Sequence, residues 1–250
     1  MFKKIFQKIL NNFGYSIQKI KNEIPYDMDK EFNEIFYKSR DFTLTSVERA
    51  YVLYKAIEYI SKFKISGDIV ECGVWKGGSI IISAMTLMKE NNRSRKIYLY
   101  DTFEGMAEPT DVDRMAANDF PAKEMWNKLK RKNDNIWMCY SSLKEVRKNV
   151  FSSGYPKKNF IFIKGKVEDT IPKTIPEKIS LLRLDTDWFE STRHELVYLF
   201  PKLSKGGILI IDDYGHWKGA KKAVDEYFKD NNIKILLNRI DCTGVIGVKQ

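Results

Sequence analysis

The run Asp68-Ile-Val-Glu-Cys-Gly-Val-Trp-Lys-Gly-Gly-Ser79 reads as a short apolar strand over 68–72, a glycine turn and the start of a helix over 79–89. Gly73, Gly77 and Gly78 let the backbone turn tightly and come close to a ligand. Two nucleotide motifs are excluded by spacing. Trp75 occupies the second glycine position of Gly-x-Gly-x-x-Gly, and no lysine follows Gly78 as a P-loop requires. An acid at the strand end followed by Gly-x-x-x-Gly suits a cofactor with a cationic centre, with Glu71 bringing negative charge to it or organising the loop. A plain tight turn is the competing reading.

Working outward, apolar runs over 96–101, 160–163, 179–185 and 207–212 read as further strands. Helical periodicity covers 190–200 and 220–231, and 233–237 and 245–249 read as closing strands. Strand and helix alternate, so the class is α/β with a mainly parallel sheet. The strands are nearly continuous apolar runs, as expected when helices cover both faces. Upstream, 46–63 is a helix whose Val47, Ala50, Tyr51, Tyr54, Ile57 and Ile60 line one side. The polar, aromatic stretch 102–158 interrupts the rhythm and reads as a lid-like insert, with helical pieces over 123–132 and 143–151. The expected layout is a basic arm over 1–22, a helical extension over 23–66 and a main domain over 67–250.

Composition narrows the function. The chain has 250 residues, enough for a core without staples. Its three cysteines (Cys72, Cys139, Cys242) fit neither a disulfide framework nor a metal motif, and two histidines exclude a His-rich zinc site. The net charge is +10, but residues 1–22 hold five lysines and no acid. The remaining excess is spread as on a solvated surface, and no nucleic-acid signature is present, so nucleic acid is not an expected partner. The arm is amphipathic: Phe2, Ile5, Phe6, Ile9, Leu10 and Phe13 share a helical face. It would dock on the domain or a second subunit, or lie peripherally on an anionic membrane. No spanning run or signal peptide is visible, which points to the cytoplasm.

Two more constellations carry chemistry. Asp101 ends the second strand, where α/β proteins place an acid on ribose hydroxyls. Asp185 and Asp187 follow the fourth strand, and Asp212 and Asp213 the fifth. Carboxylates gathered at the carboxyl edge of a sheet repel unless a cation or proton intervenes. These are hard oxygen ligands, so Mg²⁺ is expected, with Mn²⁺ or Ca²⁺ as substitutes. The alternative is separate acids capping the following helices. Asp185, Asp187 and His216 are the candidate bases. His194 is expected to be structural, Cys72 a buried apolar residue, and Arg183 a partner for a neighbouring carboxylate.

Taken together, five segments resemble the macrocin O-methyltransferase (TylF/MycF-like) family: Glu71 to Ser79, Tyr100 to Met106, Gly165 to Thr170, Arg183 to Thr192, and Ile211 to Gly215 with Trp217, Gly219 and Ala220. The resemblance implies a class I methyltransferase (Rossmann-like) fold, S-adenosylmethionine as methyl donor and Mg²⁺ as metal. It implies Gly73 and Gly77 beside the donor, Asp101 on its ribose, and Glu168 or Asp169 near the adenine. Asp185, Asp212 and Asp213 match the metal-binding acids. Glu71, Val74, Trp75, Ser79, Thr102, Phe103 and Asp185 complete the expected donor set. The acceptor would be a sugar hydroxyl, in an antibiotic glycoside or a bacterial surface polysaccharide, and the enzyme a homo-oligomer. A catechol-like aromatic diol as acceptor, or a non-catalytic protein held on a membrane or partner, are the alternatives.

Overall fold

A computed structural model describes residues 24–132 and 138–250. Seven strands form one sheet: β1 (Asp68–Cys72), β2 (Ile97–Asp101), β3 (Phe160–Lys164), β4 (Ile179–Leu184), β5 (Leu203–Ile211), β6 (Asn238–Arg239) and β7 (Val245–Val248). Their order is β3-β2-β1-β4-β5-β7-β6. The first five run parallel, and β7 pairs antiparallel with β5 and with β6. The expected α/β class and mainly parallel sheet are what the chain adopts.

Side chains alternate across a strand, and both faces are buried. Ile69, Leu99, Leu181, Ile208 and Ile210 point into one core, against α1 (Lys30–Ser39), α2 (Val47–Lys62), α3 (Gly78–Lys89) and α5 (Leu143–Phe151). Val70, Tyr100, Leu182, Leu209 and Ile211 point into the other, against α7 (Phe189–Leu199) and α8 (Lys218–Asp230). This is why the strand sequences show no polar alternation. Helix α2 is capped by Ser46, whose Oγ accepts from Arg49 N–H, and it buries Leu53, Tyr54, Ile57 and Ile60. Each large side chain so buried contributes about 1.5–3 kcal/mol.

The closing hairpin differs from the expectation. No strand forms over 233–237; only Asn238 and Arg239 pair with Ile246 and Val245. Ile233 N–H is taken by Phe228 C=O at 2.8 Å, and Ile233, Ile235 and Leu237 pack on the core beneath. The apolar residues there serve side-chain packing, not strand pairing. The insert is laced to the domain. Trp188 Nε1 donates to Ala107 C=O at 2.9 Å, Ala116 N–H to His216 C=O at 2.8 Å, and Lys218 N–H to Arg114 C=O at 2.8 Å. It carries α4 (Ala122–Lys132). The basic arm over 1–22 lies outside the described residues. No described helix is long and apolar enough to cross a membrane.

Candidate active site

Register builds the site. Glu71 on β1 pairs with Arg183 on β4, which pairs with Ile210 on β5, so Asp185 and Asp212 leave the sheet side by side. A cavity of about 520 Å³ opens above these strand ends. Its walls include Gly73, Val74, Trp75, Ser79, Asp101, Thr102, Glu168, Asp185, Asp187, Asp212, Asp213 and His216. Parallel α/β sheets place ligands at this carboxyl edge.

The glycine turn is shaped from below. Gly73 has φ +82°, and a Cβ there would lie far inside van der Waals contact of the Asp185 carbonyl oxygen. Only glycine allows β1 and β4 to approach so closely. Asp185 N–H donates to Cys72 C=O at 2.9 Å across the same gap. Gly77, at φ +89°, is the residue from which α3 starts, and Gly78 lines the cavity in its place. Trp75 has φ +46°, and its buried indole N–H has no partner.

Asp101 ends β2 as expected, but its carboxylate is largely occupied by the chain itself. Oδ2 accepts Val74 N–H at 2.7 Å and Trp75 N–H at 3.1 Å, and Oδ1 accepts Phe103 N–H at 2.7 Å. Burial raises its pKa, and the Val74, Phe103 and Trp75 amides oppose that rise. It therefore organises the glycine turn, with limited acceptor capacity left for a diol. Thr102 lines the cavity while donating to Gly105 C=O at 2.6 Å. The Phe103 ring goes into the core, away from the cavity walls. Of the two acids in α6 (Val167–Thr170), Glu168 reaches the cavity and Asp169 does not.

At the metal motif, one ligand oxygen from each of Asp185, Asp212 and Asp213 falls within 4.8 Å of the others. Two guanidiniums bracket them. Arg183 Nη1 contacts Glu71 at 3.0 Å and Asp185 at 2.7 Å, and its Nη2 donates to Asp212 Oδ1 at 2.6 Å. Arg49 ion-pairs with the other Asp212 oxygen and, at 2.8 Å, with Asp241. Asp213 Oδ2 is buried with no hydrogen-bond partner. Burial pushes the pKa of Glu71 up to about 7, with Arg183 opposing, and raises Asp185 and Asp213 as well. Asp187 sits at φ +68° and accepts Trp217 Nε1–H at 2.9 Å; burial and then Asp185 lift it to about 8. His216 borders the same cavity, its pKa lowered by burial and by Arg49.

The orphaned Asp213 oxygen, an all-oxygen donor set and carboxylates that outnumber the two guanidiniums suit a hard divalent cation. Trp188 and Trp217 meet edge to face, with centroids 5.0 Å apart, and close one wall with Met115 and Met125. His194 is structural in its contacts, its Nε2 lying 2.9 Å from Ile171 C=O. The Tyr214 hydroxyl turns away to Asp225 at 2.7 Å. Arg49 and Asp241, joined across 192 positions, were not singled out from sequence. Each lies far along the chain from its partner or carries no motif of its own.

Comparison with known proteins identifies the family. The chain is 32% identical over 203 residues to demethyldecarbamoylnovobiocin O-methyltransferase of Streptomyces niveus, covering 81% of this chain and 74% of that one. It is equally 32% identical over 203 residues to 8-demethyl-8-(2,3-dimethoxy-alpha-L-rhamnosyl)-tetracenomycin-C 4'-O-methyltransferase of Streptomyces olivaceus, with the same coverage. The solved structure of the O-methyltransferase NovP superposes with a TM-score of 0.72 at 29% identity, covering 100% of this chain and 98% of that one. The family model for macrocin-O-methyltransferase (TylF) matches residues 3–249, and the chain belongs to that family of O-methyltransferases.

Proposed function

We propose that this protein transfers a methyl group from S-adenosylmethionine to a sugar hydroxyl, with Mg²⁺ held by Asp185, Asp212 and Asp213. The sugar class is carried over from relatives, one of which is named for a rhamnosyl substrate. The observation that carries the metal is the buried, unpartnered Asp213 Oδ2 among converging acids. When bound, the donor supplies a sulfonium-activated methyl and the cation a Lewis acid that stabilises an alkoxide.

The chain's own residues do the rest. The turn from Gly73 to Ser79, held by Asp101, gives the donor a close backbone wall, and Glu168 faces the cavity farther along. Glu71 lines the same cavity and is paired with Arg183. Trp188 and Trp217, packed edge to face, form an apolar wall that excludes water from the acceptor side. His216 takes the acceptor's proton: it borders the cavity, and burial with Arg49 keeps its ring neutral. Fixing the acceptor oxygen in line with the methyl is worth several kcal/mol of barrier.

The test is transfer of tritiated methyl from S-adenosylmethionine to a panel of hexosides and 6-deoxyhexosides, with catechol as control, in Mg²⁺ or in chelator. Methylated sugar in Mg²⁺ alone is the expected result. Transfer only to catechol removes the sugar reading, and undiminished transfer in chelator removes the metal.

A further inference from the structure

Beneath the floor of the cavity lies a carboxyl that the reaction does not use. Glu195, on α7, is fully buried, with 0% exposure. Its Oε1 accepts the Thr186 hydroxyl at 2.9 Å, and its Oε2 makes no hydrogen bond of good geometry. The Cys72 thiol, at the end of β1, faces the same carboxyl.

Those two neighbours stand at the ends of the two strands whose exits shape the cavity, Cys72 closing β1 and Thr186 following β4. Cys72 precedes Gly73, and its carbonyl accepts Asp185 N–H at 2.9 Å. Thr186 lies between Asp185 and Asp187 and itself lines the cavity. The turn that Thr186 centres is costly, since Asp187 is held at φ +68°. Something must fix its rotation. Trp188 N–H donates to Thr186 C=O at 2.8 Å, Trp217 holds the Asp187 side chain at 2.9 Å, and Glu195 holds the Thr186 side chain, also at 2.9 Å.

We propose that Glu195 is a positioning residue: through Thr186 and Cys72 it sets the spacing of the β1 and β4 exits, and with it the shape of the methyl-donor site. This inference rests on the donor reading of the cavity. The role needs an acceptor oxygen toward Thr186 but no charge. Glu168 on α6 and Cys72 on β1 are the titratable groups that bear on Glu195, and neither supplies a positive charge. Burial accordingly pushes Glu195 up to about 8, with the Thr186 hydroxyl opposing the rise, so it works as a neutral acid at pH 7.

The experiment uses the full chain and calorimetric binding of S-adenosylhomocysteine to wild type, Glu195→Gln, Glu195→Leu and Thr186→Val. The Leu and Val variants are expected to bind about tenfold more weakly, the size of one buried hydrogen bond. Glu195→Gln keeps the acceptor oxygen and is expected to stay within about threefold of wild type. A melting series from pH 4 to 9 adds a second readout. A carboxyl whose folded pKa of about 8 exceeds its ordinary 4.5 loses stability for the protein as pH rises through that interval. The melting temperature of Glu195→Gln should therefore gain on wild type between those values and level off above pH 8. Should Glu195→Leu fail to fold, Thr186→Val and Glu195→Gln still decide. Unchanged binding in Thr186→Val and Glu195→Leu, or Glu195→Gln as weak as Leu, overturns the proposal alone. A wild type that binds no S-adenosylhomocysteine overturns the donor reading and this proposal with it.

Discussion

Arg49 Nε donates to Asp241 Oδ2 at 2.8 Å, joining residues 192 positions apart, while its Nη1 reaches Asp212. Asp241 also accepts the Ser46 hydroxyl at 2.7 Å and the backbone N–H groups of Thr243 and Gly244. The start of α2, the last turn before β7 and the acid cluster are thus one charged unit. Gly244 permits it, because a Cβ there would come within 2.8 Å of Arg49 Cδ.

Replacing Arg49 by Met takes the ion-pair partner from Asp241 and one of the two from Asp212, and should cost about 3 kcal/mol at pH 7, read from denaturant midpoints. Burial raises the Asp241 pKa, but its amide, hydroxyl and Arg49 partners outweigh that and hold it near about 2. Its stabilising contribution is complete above its ordinary value of 3.8 and lost as pH falls through about 2. The gap between wild type and Arg49→Met should therefore narrow over that interval. A gap that is constant with pH would show that Asp241 takes no part.

Gly73→Ala and Gly154→Ala separate strain from collision. Both glycines have positive φ, +82° and +78°. Alanine at Gly154 meets only Met88 Cε at 3.9 Å and should cost about 1 kcal/mol, with donor binding intact. Alanine at Gly73 must force apart the Cys72–Asp185 crossing, so donor binding should be lost as well. Equal effects of the two substitutions in thermal melts and S-adenosylhomocysteine titrations would refute the close-approach argument.

The acid cluster allows a contrast between neighbours. Asp212 is paired with both arginines, whereas Asp213 leaves one oxygen buried and alone. Asp212→Asn should destabilise by about 2–4 kcal/mol, because it takes one buried carboxylate partner from each of two guanidiniums. Asp213→Asn should leave stability within about 0.5 kcal/mol or raise it, since it removes like-charge repulsion. Both should abolish Mg²⁺-dependent transfer while leaving S-adenosylhomocysteine affinity within about threefold. Persistent transfer by Asp213→Asn in chelator would remove Asp213 from any metal role.

Most of this architecture is readable from local pattern. The Asp68–Ser79 run, the paired acids after two strands and the apolar strand runs each declare themselves within a few residues, and β1, β4 and β5 follow. The strand expected over 233–237 failed because an apolar run records burial without saying whether the backbone pairs. Arg49, Asp241 and Glu195 escaped for a different reason. Arg49 and Asp241 meet across 192 positions, Glu195 meets Thr186 only once the chain has turned from β4 into α7, and a lone arginine or glutamate on a helix looks like surface. Asp101 was found, but its commitment to three backbone amides is a matter of loop geometry that spacing does not encode.

The proton's destination is the last expectation to test. His216 and Asp187 both border the cavity and both touch Trp217: the His216 ring lies edge to face with it, and Asp187 accepts its indole N–H. Asp187 holds a positive-φ turn together, so Asp187→Asn should keep the indole contact through its amide oxygen and lower turnover only modestly, about tenfold. His216→Ala removes the neutral ring and should lower turnover by about 10²–10⁴, the usual range for a general base, with donor affinity unchanged. Single-turnover rates with labelled donor distinguish the two. A severe loss in Asp187→Asn with an active His216→Ala would move the proton to the carboxylate, and the Trp217 contact would then be what aims the base.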